Sequence, residues 1–96
     1  MRFEWDETKR MANLAKHGID FVKATRVFGG RMLRAVDQRH DYGEVRIRGI
    51  GVIDNLIVSV VWTERDGVIR LISIWRANAK ERAQYQIKKE VQDSER

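Results

Sequence analysis

The chain has 96 residues, 43% of them hydrophobic and 34% charged, a balance that suits one folded domain spanning 1–96 and excludes a disordered segment or a membrane-embedded chain. Nineteen Lys and Arg against fourteen Asp and Glu give a net charge of +5, and with an isoelectric point near 10.0 polyanions are the partners to expect, nucleic acid first. Cysteine is absent, which removes disulfides, thiolate metal sites and a cysteine nucleophile.

The opening run Arg2 to Trp5 predicts a short strand, and its charges leave no apolar signal core, so a cytoplasmic location with no membrane partner is the expectation. Asp6 can cap a helix through Thr8 to His17, with Met11, Leu14 and Ala15 as its apolar stripe and Gly18 as its stop. Asp20 caps a second helix whose apolar positions Phe21, Ala24, Val27 and Phe28 recur at helical spacing before Gly29-Gly30. From Met32 the period changes. Met32 to Val36, Glu44 to Ile53, Leu56 to Thr63 and Val68 to Trp75 read as strands, bounded by turn signals at Asp41-Tyr42-Gly43, Asp54-Asn55 and Asp66-Gly67. They predict an antiparallel meander with Leu56 to Trp62 near its centre, since both faces of that strand are apolar. Asn78 with Glu81 three residues on resembles a capping box and opens a helix through about Val91, buried through Ala83, Ile87 and Val91, or through Tyr85 with the last two. The tail from about 92 has no apolar reason to stay ordered. The whole is an α+β domain of two N-terminal helices on an antiparallel β-sheet of about four to five strands, closed by a C-terminal helix.

Thirteen of the nineteen cations are Arg, whose planar fork pairs with phosphate, carboxylate or a guanine edge. Strand alternation places Glu44, Arg46 and Arg48 on one face, which suits a phosphate beside a base or, more simply, cross-strand ion pairs on a solvated sheet. Arg65, Arg70 and Arg76 lie on or just beyond the neighbouring strands. Lys16-His17-Gly18 ends the first helix, where the dipole favours cations; there Lys16 can bind phosphate and His17 can carry a proton. His40 sits in a polar loop and receives no role. Trp5, Trp62 and Trp75 read first as packing, Trp62 above all. No metal-ligand spacing, phosphate-binding glycine loop or serine elbow is present, so no metal and no cofactor are expected.

Phe3-Glu4-Trp5-Asp6, then Lys9, Asn13 and Lys16-His17-Gly18-Ile19 with Phe21, Ala24 and Val27-Phe28, form an ordered series of short pieces. Gly43-Glu44-Val45-Arg46, Ile50-Gly51, Thr63-Glu64-Arg65, Arg70-Leu71-Ile72-Ser73, and Ala77 with Glu81-Arg82 and Tyr85 continue it. In this order they resemble the BrnT toxin family over nearly the whole chain. The resemblance implies a RelE-like fold and a type II toxin, a small ribonuclease that cuts RNA and stalls translation. It implies as partner a BrnA-like antitoxin with a ribbon-helix-helix DNA-binding domain, the two together repressing their operon, and a 2:2 heterotetramer is expected. The chain departs from the family where relatives usually end the last strand in Arg: it reads Ile72-Ser73-Ile74-Trp75, with Arg76 one place later.

A metal-independent endoribonuclease needs a base for the attacking 2′-hydroxyl, cations for the charge growing on phosphate oxygens, and an acid for the leaving oxygen. Glu44 is the expected base, Lys16, Arg46 and Arg65 the phosphate stabilisers, and His17 or Tyr85 the other proton carriers. Arg48, Arg70 and Arg76 are candidate phosphate contacts, and Trp75 stands in the active cleft with activity weakened by loss of the guanidinium. The alternative is a module that binds nucleic acid or antitoxin without catalysis.

Overall fold

The structure is a computed structural model that describes residues 1–39 and 41–94, the last three through their backbone; His40 and residues 95–96 lie outside it. Strand β1, Arg2–Glu4, leads into helix α1, Glu7–His17, and α2, Phe21–Ala24, which tightens into a 3₁₀ turn over Thr25–Gly29. The strands β2, Leu33–Val36, β3, Ile47–Ile53, β4, Leu56–Arg65, and β5, Val68–Arg76, follow, and α3, Ala79–Ser94, closes the chain.

Each helix start follows local chemistry. The Asp6 carboxylate accepts from the Lys9 N–H at 3.1 Å and Asp20 accepts from Val22 at 3.1 Å, satisfying amide donors that no helical carbonyl can reach. Gly18 ends α1 at φ 71, a left-handed conformation that glycine adopts without strain. The capping box of α3 is reciprocal: Asn78 N–H donates to Glu81 and Glu81 N–H to the Asn78 side chain, both at 2.8 Å. Asp54 and Asn55, then Asp66 and Gly67, all have positive φ, as two-residue hairpin turns require.

The sheet order is β1-β5-β4-β3-β2. Strands β2 to β5 form the expected antiparallel meander with β4 central, but β1 adds to the β5 edge in parallel, so the sheet is mixed. A bulge on β5 lets Leu71 pair with Trp62 and Ser73 with Val61, leaving Ile72 as the extra residue. One face of the sheet carries the core: Val58, Val60, Trp62, Leu71 and Ile74 meet Phe21, Ala24, Val27 and Phe28. Phe28 lies edge-on to Trp62 with ring centroids 4.8 Å apart. Gly51 is buried opposite Val27, and a Cβ there would collide with Val27 Cγ2, so the glycine lets the 3₁₀ turn close on β3.

Two helices dock differently from their apolar patterns. Met11, Leu14 and Ala15 are exposed, and the buried residue of α1 is Asn13. Its amide completes the β5 edge beyond the end of β1, accepting from Ile74 N–H at 3.1 Å and donating to the Ile74 carbonyl at 2.9 Å. It also donates to the Ile19 carbonyl at 3.1 Å and accepts from Ser73 Oγ at 3.2 Å. On α3, Ala83, Ile87 and Val91 are exposed, while Glu81 and Tyr85 are buried; the helix docks against β3 through its first half and runs on past Val91 to Ser94.

Candidate active site

On the sheet face away from the core, a hollow of about 400 Å³ opens between the end of α1, the β2–β3 connection and β5. Lys16 and His17 form one rim, Asp37, Arg39, Tyr42 and Arg46 the other, with Val61, Ile72, Ser73 and Trp75 along the floor. Both Ile72 and Ser73 reach it because the β5 bulge breaks strict alternation.

The Arg39 rim is built on a buried carboxylate. The Asp37 N–H donates to the Arg46 carbonyl at 2.7 Å, carrying the β2–β3 ladder one residue further. Its side chain, 2% exposed, accepts from Arg39 Nε at 2.8 Å, Arg39 Nη2 at 2.9 Å, the Arg39 amide at 3.2 Å and Tyr42 Oη at 3.1 Å. The Arg39 guanidinium, assisted by the amide and the Tyr42 hydroxyl, holds this carboxyl down at about 2 against the desolvation that opposes it. The Arg46 guanidinium lies 4.0 Å from the Tyr42 ring centre, a cation–π contact that fixes its plane. Arg39 in turn lies 5.7 Å from the Trp75 ring centre.

Of the residues singled out by sequence, Lys16, His17, Arg46 and Trp75 come together around this hollow. Glu44 and Arg65 stand beside it, joined at 2.7 Å, with Arg46 Nε 3.5 Å from the other Glu44 oxygen. The Arg65 hydrogen bond lowers the Glu44 pKa below the usual carboxylate range, the wrong direction for a base. Both Glu44 and Arg46 precede β3, which starts at Ile47; the connection is held to β4 by Thr63 Oγ1 donating to the Val45 carbonyl at 2.7 Å. Arg48 lies 3.7 Å from Glu81, and Arg70 lies 3.6 Å from Glu4. Arg76 pairs with Val58 in register, one place off the pocket face, and is not among the lining residues. Tyr85 is buried under α3 beside Arg31 to Arg34, away from the hollow, so the proton role expected for it finds no support in its position.

Trp75 is more than a plug. Its Nε1–H donates to the buried Glu81 carboxylate at 3.2 Å, so only its ring face is left to the pocket, and the cation above that face is Arg39 rather than Arg70 or Arg76. Sequence reading missed Asp37, Arg39 and Tyr42. The signal was present in part, since an Asp at a strand end commonly bonds the backbone two residues on, and that residue here is Arg39. The arrangement offers cations on two rims, an imidazole and an apolar aromatic floor, which suits a phosphodiester with its base turned inward.

Among the described residues no group of three or more His, Asp or Glu is placed to hold a metal, and no helix is long and apolar enough to cross a membrane. No curated protein matches the chain. A family model described as the ribonuclease toxin BrnT of type II toxin-antitoxin systems matches residues 5–81. Because that match takes in most of the chain and every residue that lines the hollow, the chain belongs to the BrnT family, the ribonuclease toxins of type II toxin-antitoxin systems.

Proposed function

We propose that this protein is a metal-independent endoribonuclease that stalls translation, and that the hollow between α1, the β2–β3 connection and β5 is its active site. The observation that carries this reading is the convergence of Lys16, His17, Arg39 and Arg46 on one apolar-floored cavity. In the reaction the RNA 2′-oxygen bonds to the adjacent phosphorus and the bond to the 5′-oxygen breaks, giving a 2′,3′-cyclic phosphate and a 5′-hydroxyl. His17 takes the proton of the 2′-hydroxyl, the Lys16 ammonium gives one to the departing 5′-oxygen, and Arg46 meets the charge that grows on the phosphate oxygens. Glu44, expected as the base, acts as a positioning residue: it holds Arg46 from one side while Tyr42 holds it from the other, and Arg65 keeps Glu44 charged. Arg48 and Arg70 contact phosphates outside the cleaved bond; Arg76, off the pocket face, does not.

Trp75 supplies a stacking surface where relatives carry a guanidinium, and Arg39 does not fully replace that group because two of its three nitrogens are committed to Asp37. The chain is therefore a weakened toxin. Membership in a type II family implies an antitoxin partner. We take it to be BrnA-like, with a ribbon-helix-helix domain that binds operator DNA, and the assembly to be a 2:2 heterotetramer that covers the Arg-bearing sheet face, silences the toxin in the cytoplasm and represses the operon.

Induced expression in bacteria tests this. The wild-type chain slows growth, co-expressed antitoxin relieves it, the copurified complex has the mass of two of each, and Trp75→Arg deepens the arrest at matched expression. Equal, strong arrest by both chains would overturn the weakened-site reading. Absence of any arrest even from Trp75→Arg would favour a binding module without catalysis.

A further inference from the structure

Cations continue beyond the hollow along the same side of the sheet. Arg48 is the link: its backbone pairs with Val61 of the pocket floor on one side and with Ala35 of β2 on the other. Its guanidinium reaches toward Glu81, the carboxylate that holds Trp75, and since Glu81 is 4% exposed the surface there presents the Arg. Past Arg48 two adjoining hollows of about 240 and 60 Å³ run between the edge strand β2 and α3, sharing Leu33 and Arg34. Lys88 and Lys89 line the far one, and neither lining contains an Asp or Glu. Lys88 and Lys89 are exposed, and among the described residues no ion pair takes either; the Arg34 guanidinium turns to the other sheet face, 5.6 Å from the Trp62 ring centre.

We propose that this groove is a binding track for single-stranded RNA flanking the cleaved bond, its phosphates passing from the pocket over Arg48 and along α3 to Lys88 and Lys89. The inference rests on the ribonuclease reading and extends its substrate from one phosphodiester to a strand of several nucleotides. Three features favour RNA over an acidic protein segment as occupant. The groove begins at Arg48, the register partner of Val61 on the pocket floor. Its cations stand at the two ends of about 10 Å of helix, Arg48 beside Glu81 and Lys88 with Lys89 at the far end, instead of being clustered at one point. With Arg48, Lys88 and Lys89 along it and no carboxylate in its lining, it holds a flexible backbone by charge without base readout.

The test uses the full chain and the double variant Lys88→Gln, Lys89→Gln, both at exposed side-chain ends whose loss leaves the core untouched; matching thermal melts check this. Binding of uncleavable 2′-O-methyl RNA, a trimer and a strand of about ten nucleotides, is measured across a salt series. For the wild type, the longer strand gives the steeper dependence of log affinity on log salt. In the variant that slope falls by about 1.4 units, from two lost contacts on single-stranded RNA, and trimer binding stays unchanged. An unchanged slope for the longer strand would overturn the track. So would intact RNA binding combined with weakened antitoxin binding, which would assign the groove to the protein partner. A wild type that shows the predicted slopes but cuts no unmodified RNA would leave the track standing and remove the ribonuclease reading instead.

Discussion

Asp37 shows how one buried charge sets the geometry of a surface site. Its carboxylate orients Arg39 through two parallel bonds and Tyr42 through a third, and Tyr42 and Arg39 then fix the planes of Arg46 and Trp75. A carboxyl lowered from 3.8 to about 2 on folding contributes stability that is present above the unfolded value and lost as pH falls through the folded one. The loss therefore falls between about pH 4 and pH 2, and it amounts to roughly 1 to 2 kcal/mol once the half-exposed Arg39 is discounted for solvent screening. Asp37→Asn should flatten that part of the acid-unfolding curve and lower RNA cleavage while the fold persists at neutral pH. An unaltered acid limb would show that Asp37 is not held as described. At this scale the sequence was informative where chemistry is local, as with the cap residues Asp6, Asp20 and Asn78. It was silent where a role depends on which side chain folds beneath another, as with Asp37 under Arg39 and Tyr42.

Elements were legible wherever pattern and turn chemistry agreed. The hairpins at Asp54-Asn55 and Asp66-Gly67, the capping box at Asn78 and Glu81, and the central place of β4 all follow from local rules that the fold keeps. Hydrophobic periodicity misled for α1 and α3 because both helices dock through polar groups. Asn13 uses all four of its hydrogen-bonding positions where an apolar side chain would leave the Ile74 N–H and carbonyl bare. Asn13→Ala should cost about 2 to 4 kcal/mol, since several buried backbone groups lose their partner at once and each lost partner costs about 1 to 3 kcal/mol. Denaturant titration measures it. A change below about 0.5 kcal/mol, the range of ordinary surface substitutions, would mean that water replaces the amide and that α1 is anchored by other contacts. The parallel addition of β1 was equally hidden, because three residues carry no signal of which edge they join.

For the whole molecule, the division of labour between the two sheet faces explains how so small a basic domain can both fold and cut RNA. One face is spent on the core of Phe21, Val27, Phe28, Trp62 and their neighbours; the other is left for charge, with α3 covering only part of it. In the proposed reaction Lys16, His17 and Arg46 act together on a phosphodiester in the uncovered part. The most direct test is incubation of purified protein with a defined RNA in excess chelator, followed by mass analysis of the new ends. The account predicts 2′,3′-cyclic phosphate and 5′-hydroxyl ends without added metal, and a rate lowered on the order of 10²-fold or more by Arg46→Ala. Cleavage that requires a divalent metal and leaves 3′-hydroxyl ends, or that is indifferent to Arg46, would contradict it.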